Sequence, residues 1–188
     1  MPFTEHLRLD SPRLQLAPLS LDDAEAFFAI QSDPDVMRYW NHPPWTDIGQ
    51  ARTAIALSRD ALAEGTRLTL GVRAHGSGQL LGTCLLFAVD TESARAEIGY
   101  NLAAAAQGRG YMTEALGRLV DYAFDDLGLR RLEAEIDPRN APSAKVLERL
   151  GFREEGLLRE RWCVDGEISD SALYGLLARD RTASAANR

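Results

Sequence analysis

Tyr100-Asn101-Leu102-Ala103-Ala104-Ala105-Ala106-Gln107-Gly108-Arg109-Gly110-Tyr111-Met112-Thr113 is the stretch on which the reading of this chain turns. An alternating run ends at Leu102, a linker of small residues follows, and Gln107-Gly108-Arg109-Gly110 leads straight into a helical pattern. Two glycines let a backbone fold tightly and bring its N–H groups onto a ligand without interference from a Cβ. The first turn of the helix adds unpaired N–H donors and the positive end of the helix dipole. Strand, glycine-rich turn and helix N-terminus together make a site suited to phosphate. The stretch lacks the Gly-Lys-Ser/Thr of a P-loop and the three-glycine spacing of a dinucleotide fingerprint. By itself such a segment is more often a plain turn, so its neighbours decide the matter.

Downstream, Met112, Ala115, Leu116, Leu119, Val120, Ala123, Phe124 and Leu127 repeat at helical spacing, and Gly128 closes the stripe. Residues 132–137 alternate as a strand, Asn140 is placed to cap a short helix with Pro142 in its first turn, and Gly151 ends it. Two more strands are expected around 153–164 and 171–177. Upstream, residues 94–102 form a strand with Ala96, Ile98, Tyr100 and Leu102 on one face and Arg95, Glu97, Gly99 and Asn101 on the other. Before it come strands at 67–74 and 79–88, the second apolar on both faces and therefore central. Residues 13–19 alternate as a first strand, and helices are expected over 21–31 and from 46 or 47 to 64. The prolines of the intervening segment 33–45 prevent one continuous helix there. The order β, α, α, β, β, β, α, β, α, β, β describes one mixed sheet with helices on its faces, an α/β or α+β domain.

Nothing in the composition contradicts that. A chain of 188 residues fits one domain, here 1–181, with a small polar tail at 182–188 expected to fray. Cys84 and Cys163 lie in apolar stretches and read as two buried thiols in a reducing compartment. His6, His42 and His75 are scattered, so no metal site is expected. The first residues lack a basic segment followed by an apolar core, and no apolar run approaches the roughly 20 residues that cross a bilayer, so a cytoplasmic protein is expected. A net charge of −7 argues against a duplex nucleic-acid partner and is compatible with attracting a cationic one.

Gln107-Gly108-Arg109-Gly110-Tyr111-Met112-Thr113-Glu114-Ala115 resembles the acetyl-CoA loop of GNAT N-acetyltransferases, in the form used by the RimJ/RimL-like branch that acetylates ribosomal proteins. The resemblance continues through Glu97-Ile98-Gly99-Tyr100, residues 137–143, Val146-Leu147-Glu148-Arg149-Leu150-Gly151-Phe152 and Glu155-Gly156-Leu157-Leu158-Arg159. Met112 departs from the general pattern, which has Gly or Ala there; a backbone N–H is all that position must offer. The resemblance implies a GNAT fold: a single mixed, mostly antiparallel sheet, splayed where the cofactor enters, with helices on both faces. It implies acetyl-CoA as donor, CoA as product and no metal. Gln107, Gly108, Arg109, Gly110, Tyr111, Met112 and Thr113 would hold the pyrophosphate. Ile98, Tyr100 and Leu102 would run beside the pantetheine arm, and Asn140 and Ser143 would meet it from across the splay.

The implied reaction is direct attack of a primary amine in a ternary complex. Such an amine is mostly charged at neutral pH, and a base must take its proton. Glu97 is the candidate base, and Ser143 the hydroxyl that protonates the leaving thiolate; Tyr174 and Tyr111 are weaker substitutes. A backbone N–H near Ile98 or Gly99 would polarise the carbonyl. The acceptor is expected opposite the cofactor, against Trp40, Glu97, Asn101 and Asp170, with Trp45 and the 165–167 loop as further walls. It is a protein N-terminus, or else a small amine such as a polyamine, aminoglycoside or amino acid. A CoA-binding module without catalysis is the remaining reading. A homodimer is compatible with such a domain, although the sequence carries no direct sign of one.

Overall fold

The computed structural model of the chain describes residues 3–181, so the tail at 182–188 lies outside the described residues. Its strands are β1 (Leu9–Asp10), β2 (Leu14–Pro18), β3 (Leu68–Ala74), β4 (Leu80–Asp90), β5 (Arg95–Leu102), β6 (Arg131–Ile136), β7 (Arg153–Val164) and β8 (Glu167–Leu177). They form one eight-stranded sheet in the order β1-β2-β3-β4-β5-β6-β8-β7. Every pairing is antiparallel except that between β5 and β6. The helices are α1 (Ala24–Gln31), α2 (Pro34–Met37), α3 (Ile48–Glu64), α4 (Tyr111–Asp121) and α5 (Ala141–Arg149). This is the mixed, mostly antiparallel sheet with helices on both faces that the sequence predicts.

Alternation along the strands sends side chains to two separate cores. Leu14, Leu16, Leu86, Ala96, Ile98, Leu132 and Leu176 pack beneath Met112, Leu116 and Leu119 of α4 and Leu147 of α5. On the opposite face Leu19 and Leu80 pack against Phe27 and Ile30 of α1 and Ala51 and Ile55 of α3. Helices α1 and α3 cover only the β2–β4 half of that second face. Over β5, β6 and β8 it carries Glu97, Glu133, Glu135 and Ser171 instead of an apolar core. Leu116 has no exposed surface. We expect Leu116→Ala to destabilise the fold by about 2–5 kcal/mol in denaturant titration, through lost burial and a residual cavity.

The parallel pairing of β5 and β6 holds for Arg95–Arg131, Ala96–Leu132 and Glu97–Glu133 and then stops. Beyond it the two strands diverge, leaving the edge of β5 from Ile98 to Leu102 open on one side. At the closed end, Arg95 bridges to Glu133 at 2.8 Å and Arg131 reaches both Glu133 and Glu155, fastening β5, β6 and β7 at the apex of the splay.

Four features differ from the sequence expectations. The segment after α1 contains the short helix α2, begun by Asp33, whose carboxylate accepts from Asp35 N–H at 2.9 Å, with Pro34 at its first position. Helix α4 loosens at Tyr122–Asp126 into a π-helical turn, and β8 begins at Glu167 in place of 171. Cys84 is buried, its thiol pushed up to about 12 by burial, whereas Cys163 is exposed. The expectation of two buried thiols fails because β7 is an edge strand whose apolar residues face solvent: Leu157 is 50% exposed and Trp162 36%. Among the described residues no helix is long and apolar enough to span a membrane.

Candidate active site

The glycine-rich loop is fastened to the body of the protein by an arrangement that the sequence did not reveal. Gly108 and Gly110 both take left-handed backbone angles, φ +74° and +76°, which residues with a Cβ rarely adopt. Gly110 then caps α4, and the first backbone bond into the helix is Glu114 N–H to Gly110 O at 3.1 Å. The N–H groups of Tyr111, Met112 and Thr113 precede that bond and belong to the unpaired first turn. Arg13, just before β2, donates to Arg109 O at 2.9 Å and to the Glu114 carboxylate at 2.6 Å, and its guanidinium lies 4.6 Å from the centre of the Tyr111 ring. Ser11 Oγ and Arg13 N–H also donate to Glu114. The Gln107 side chain turns away from the loop and donates to Leu102 O at 3.1 Å, bracing it to the end of β5. A Cβ placed on Gly108 would meet nothing within 4 Å. The loop is therefore an open cradle of N–H groups with a fixed outline, and its residues suit a pyrophosphate.

A cavity of about 730 Å³ passes through the sheet at the splay. On the α4/α5 side it is lined by Ile98, Tyr100, Asn140 and Ser143. On the other it meets Glu97, Phe87, Glu135, Trp162 and Arg161, together with Met37–Pro44 from the α2 region and Asp165 and Glu167 from the β7–β8 turn. Ala103 N–H bonds across to Leu81 O. By strand alternation, the backbone groups of Ile98, Tyr100 and Leu102 face the open edge. That edge suits the amide-rich pantetheine arm.

Two polar centres flank the opening. Asn140 Oδ1 caps α5 by accepting from Ser143 N–H at 3.2 Å, and Ser143 Oγ lies 2.6 Å from the Tyr100 hydroxyl, which also approaches Ser143 O. Tyr100 thus reaches across the splay from β5 to α5. Burial pushes its phenol up to about 12, so it stays protonated at neutral pH. On the opposite face stands Glu97. Burial, then the neighbouring charges of Glu135 and Glu133, push its carboxyl up to about 7, against the opposing pull of Arg161 and Arg95. Of the other carboxylates in the walls, three are engaged. Asp137 is held by Arg139 at 2.6 Å, Glu167 by the same guanidinium at 2.7 Å, and Glu135 by Trp162 Nε1 at 2.8 Å and Arg161 at 3.2 Å. Asp165 sits at the exposed turn.

Of the residues singled out from sequence, Glu97, Ile98, Tyr100, Asn140, Ser143 and Trp40 line this cavity. Asn101 does not. It is buried, and its Oδ1 accepts from Thr83 N–H and Oγ1 at 3.1 and 3.0 Å, because Thr83 stands directly opposite it on β4. Asp170 also lies outside the cavity lining. It falls on the strand face away from Glu97 and accepts from Glu160 N–H at 2.8 Å. Trp45 packs edge-on against Phe27 at 5.2 Å, in the core under α1. Tyr174 is buried and turned toward Glu154, and Tyr111 lies beneath Arg13. Neither hydroxyl lines the cavity. Arg13, Glu114, Arg139, Arg161 and Trp162 were missed, since each acts through a partner distant in sequence.

Residues 13–153 match the family profile described as an acetyltransferase (GNAT) domain. Over 172 residues the chain is 38% identical to the uncharacterized N-acetyltransferase p20 of Bacillus licheniformis, spanning 92% of this chain and 97% of that one. It is 34% identical over 85 residues to the [ribosomal protein uS5]-alanine N-acetyltransferase of Escherichia coli, spanning 45% and 44% of the two chains. Mycobacterium smegmatis RimJ, solved in complex with CoA-disulfide, superposes with a TM-score of 0.80 at 28% identity, covering 88% of this chain and 82% of that one.

Proposed function

The chain belongs to the GNAT acetyltransferase family, and we propose that its acceptor is the α-amine of a polypeptide N-terminus. Acetyl transfer from acetyl-CoA is the activity of the family. The acceptor reading rests on one observation: among the described residues, Glu97 and Asp165 are the cavity carboxylates without a hydrogen bond or ion pair, Asp165 lies on the exposed β7–β8 turn, and the others are held by Arg139 and Arg161. A polyamine or aminoglycoside presents several cations and calls for several free carboxylates. Away from the exposed turn that carries Asp165 these walls offer one, Glu97, beside Trp40 and Trp162, which suits a chain with a single leading amine. The partial similarity to an acetyltransferase of ribosomal-protein alanine supports the same reading.

When bound, acetyl-CoA supplies the thioester and, as leaving group, the CoA thiolate. The protein's own groups are divided between the two faces of the sheet. Glu97, on the acceptor face, takes a proton at its carboxylate oxygen from the acceptor's ammonium, leaving a neutral amine to attack. Ser143 Oγ, on the α5 face, gives a proton toward the leaving sulfur and is reprotonated by the second proton that the acylated nitrogen sheds, with Tyr100 donating to Ser143 so that the serine hydrogen points outward. Holding the reactants on either side of one opening accounts for much of the rate. Ser143→Ala is accordingly expected to lower kcat by roughly tenfold while leaving KM for the acceptor near its original value. Thiol release in single and double variants with Tyr100→Phe is the measurement, and non-additive losses are expected because the two hydroxyls act as a unit.

The acceptor is tested by thiol release with peptides beginning Ala, Ser or Thr against spermidine, an aminoglycoside and free amino acids. Turnover on peptides well above that on the polycations is the expected result. Preference for a polycation would overturn the reading and leave the transferase.

A further inference from the structure

Strand β7 contains a deformation whose consequence falls on the acceptor wall. Leu158 pairs with Ser171 and Trp162 with Ser169, so three residues, Arg159 to Arg161, stand opposite the single residue Asp170. In the middle of them Glu160 is left-handed, with φ +53°, a conformation that strains a residue bearing a Cβ. Its N–H donates to Asp170 Oδ1 at 2.8 Å. Successive side chains of a strand point to opposite faces. Here, however, Arg161 Nε and Trp162 Nε1, from neighbouring residues, both reach Glu135 Oε1, at 3.2 and 2.8 Å. The kink at Glu160 lies immediately before this pair, and bulges beside functional sites commonly redirect side chains in this way.

We propose that Asp170 is a positioning residue for the acceptor: by clamping the Glu160 amide it holds the bulge that aims Arg161 and Trp162 at Glu135, and so shapes and neutralises the wall beside Glu97. The proposal rests on the reading that this wall receives the acceptor. Asp170 touches no substrate in this account. The left-handed residue needs an anchor because its side chain disfavours the angle, and a glycine in its place removes that need.

The test uses Asp170→Ala, Asp170→Asn, and Asp170→Ala combined with Glu160→Gly in the full chain. Asp170→Ala should raise KM for a peptide acceptor about tenfold and leave KM for acetyl-CoA within about twofold. Asp170→Asn keeps an oxygen acceptor for the amide and should stay within about threefold of the original, as should the double variant. A second readout is independent of turnover. The chain has three tryptophans, so its indole N–H spectrum is simple, and the Trp162 signal is identified by its loss in Trp162→Phe. That signal should move in Asp170→Ala and return in the double variant. An unmoved signal, or a folded double variant that fails to restore it, would overturn the proposal whatever the acceptor is. A signal that moves and returns with no change in acceptor KM would uphold the clamp and overturn its role at the acceptor wall. If Asp170→Ala does not fold, Asp170→Asn and the double variant carry the same comparison, and loss of the Trp162 signal in both overturns the clamp.

Discussion

Glu97→Gln should lower kcat by about 10²–10³-fold on a peptide acceptor and remove the rise in rate through neutral pH. The sign follows from the position of the group. A carboxyl pushed up to about 7 is mostly protonated at pH 6 and mostly ionised at pH 8. Only the ionised form takes a proton, so kcat should climb through that range and level off above it. Gln preserves the shape and cannot titrate, so its profile should be flat or follow only the acceptor's own ionisation. Binding of acetyl-CoA should be unchanged, because Glu97 lies across the sheet from Ser143. Stability offers a check without substrate. A carboxyl whose folded value is raised favours folding below its unfolded value and loses that contribution as pH rises through about 7. The variant should therefore unfold at a higher temperature than the original at pH 8, with the difference gone near pH 4. A rise that survives in Glu97→Gln with the same midpoint near pH 7 would show that another group sets it and that Glu97 is a bystander.

The parts legible in the sequence were those governed by local rules. The stripe from Met112 to Phe124, the apolar β4, the cap at Asn140 and the glycine loop each follow from spacing or backbone preference within a few residues, and all were located. Glu97 and Ser143 were singled out from the family resemblance, and the fold brings them to opposite ends of one opening. What remained hidden depends on register and on contacts across the sheet. Asn101 reads as a free polar residue until β4 places Thr83 opposite it. Asp170 reads as a substrate carboxylate until the bulge in β7 gives it an amide to hold. Arg13 and Glu114 are about a hundred residues apart, and no periodicity links them; Glu114 even reads as an ordinary acidic residue in the first turn of a helix. Arg161 defeats the alternation rule itself, since a left-handed neighbour turns it to the face that its position in the strand denies it.

Gly110→Val should weaken acetyl-CoA binding by about a hundredfold while sparing the pH profile at saturating cofactor. Space is not the obstacle, because a Cβ at this position would approach nothing closer than Arg13 Nη2, at 3.6 Å. The backbone is. At φ +76° a β-branched residue is held in a region it strongly avoids, at a cost of about 1–3 kcal/mol or more. The loop can relieve that strain by rotating Gly110, but Gly110 caps α4, and rotation turns the N–H groups of Tyr111, Met112 and Thr113 off their common target. The bond from Arg13 to Arg109 O stretches with it. The two losses act on the same ligand and leave Glu97 untouched, so this variant and Glu97→Gln should separate cleanly. One fails in calorimetric titration with CoA yet retains a rate that rises through pH 7, while the other binds CoA normally and has lost that rise. Asn tolerates left-handed angles better than Val, so Gly110→Asn should lose less than tenfold in affinity. Equal losses for Asn and Val would mean that side-chain bulk over the cradle, and not backbone angle, is what the loop cannot accept.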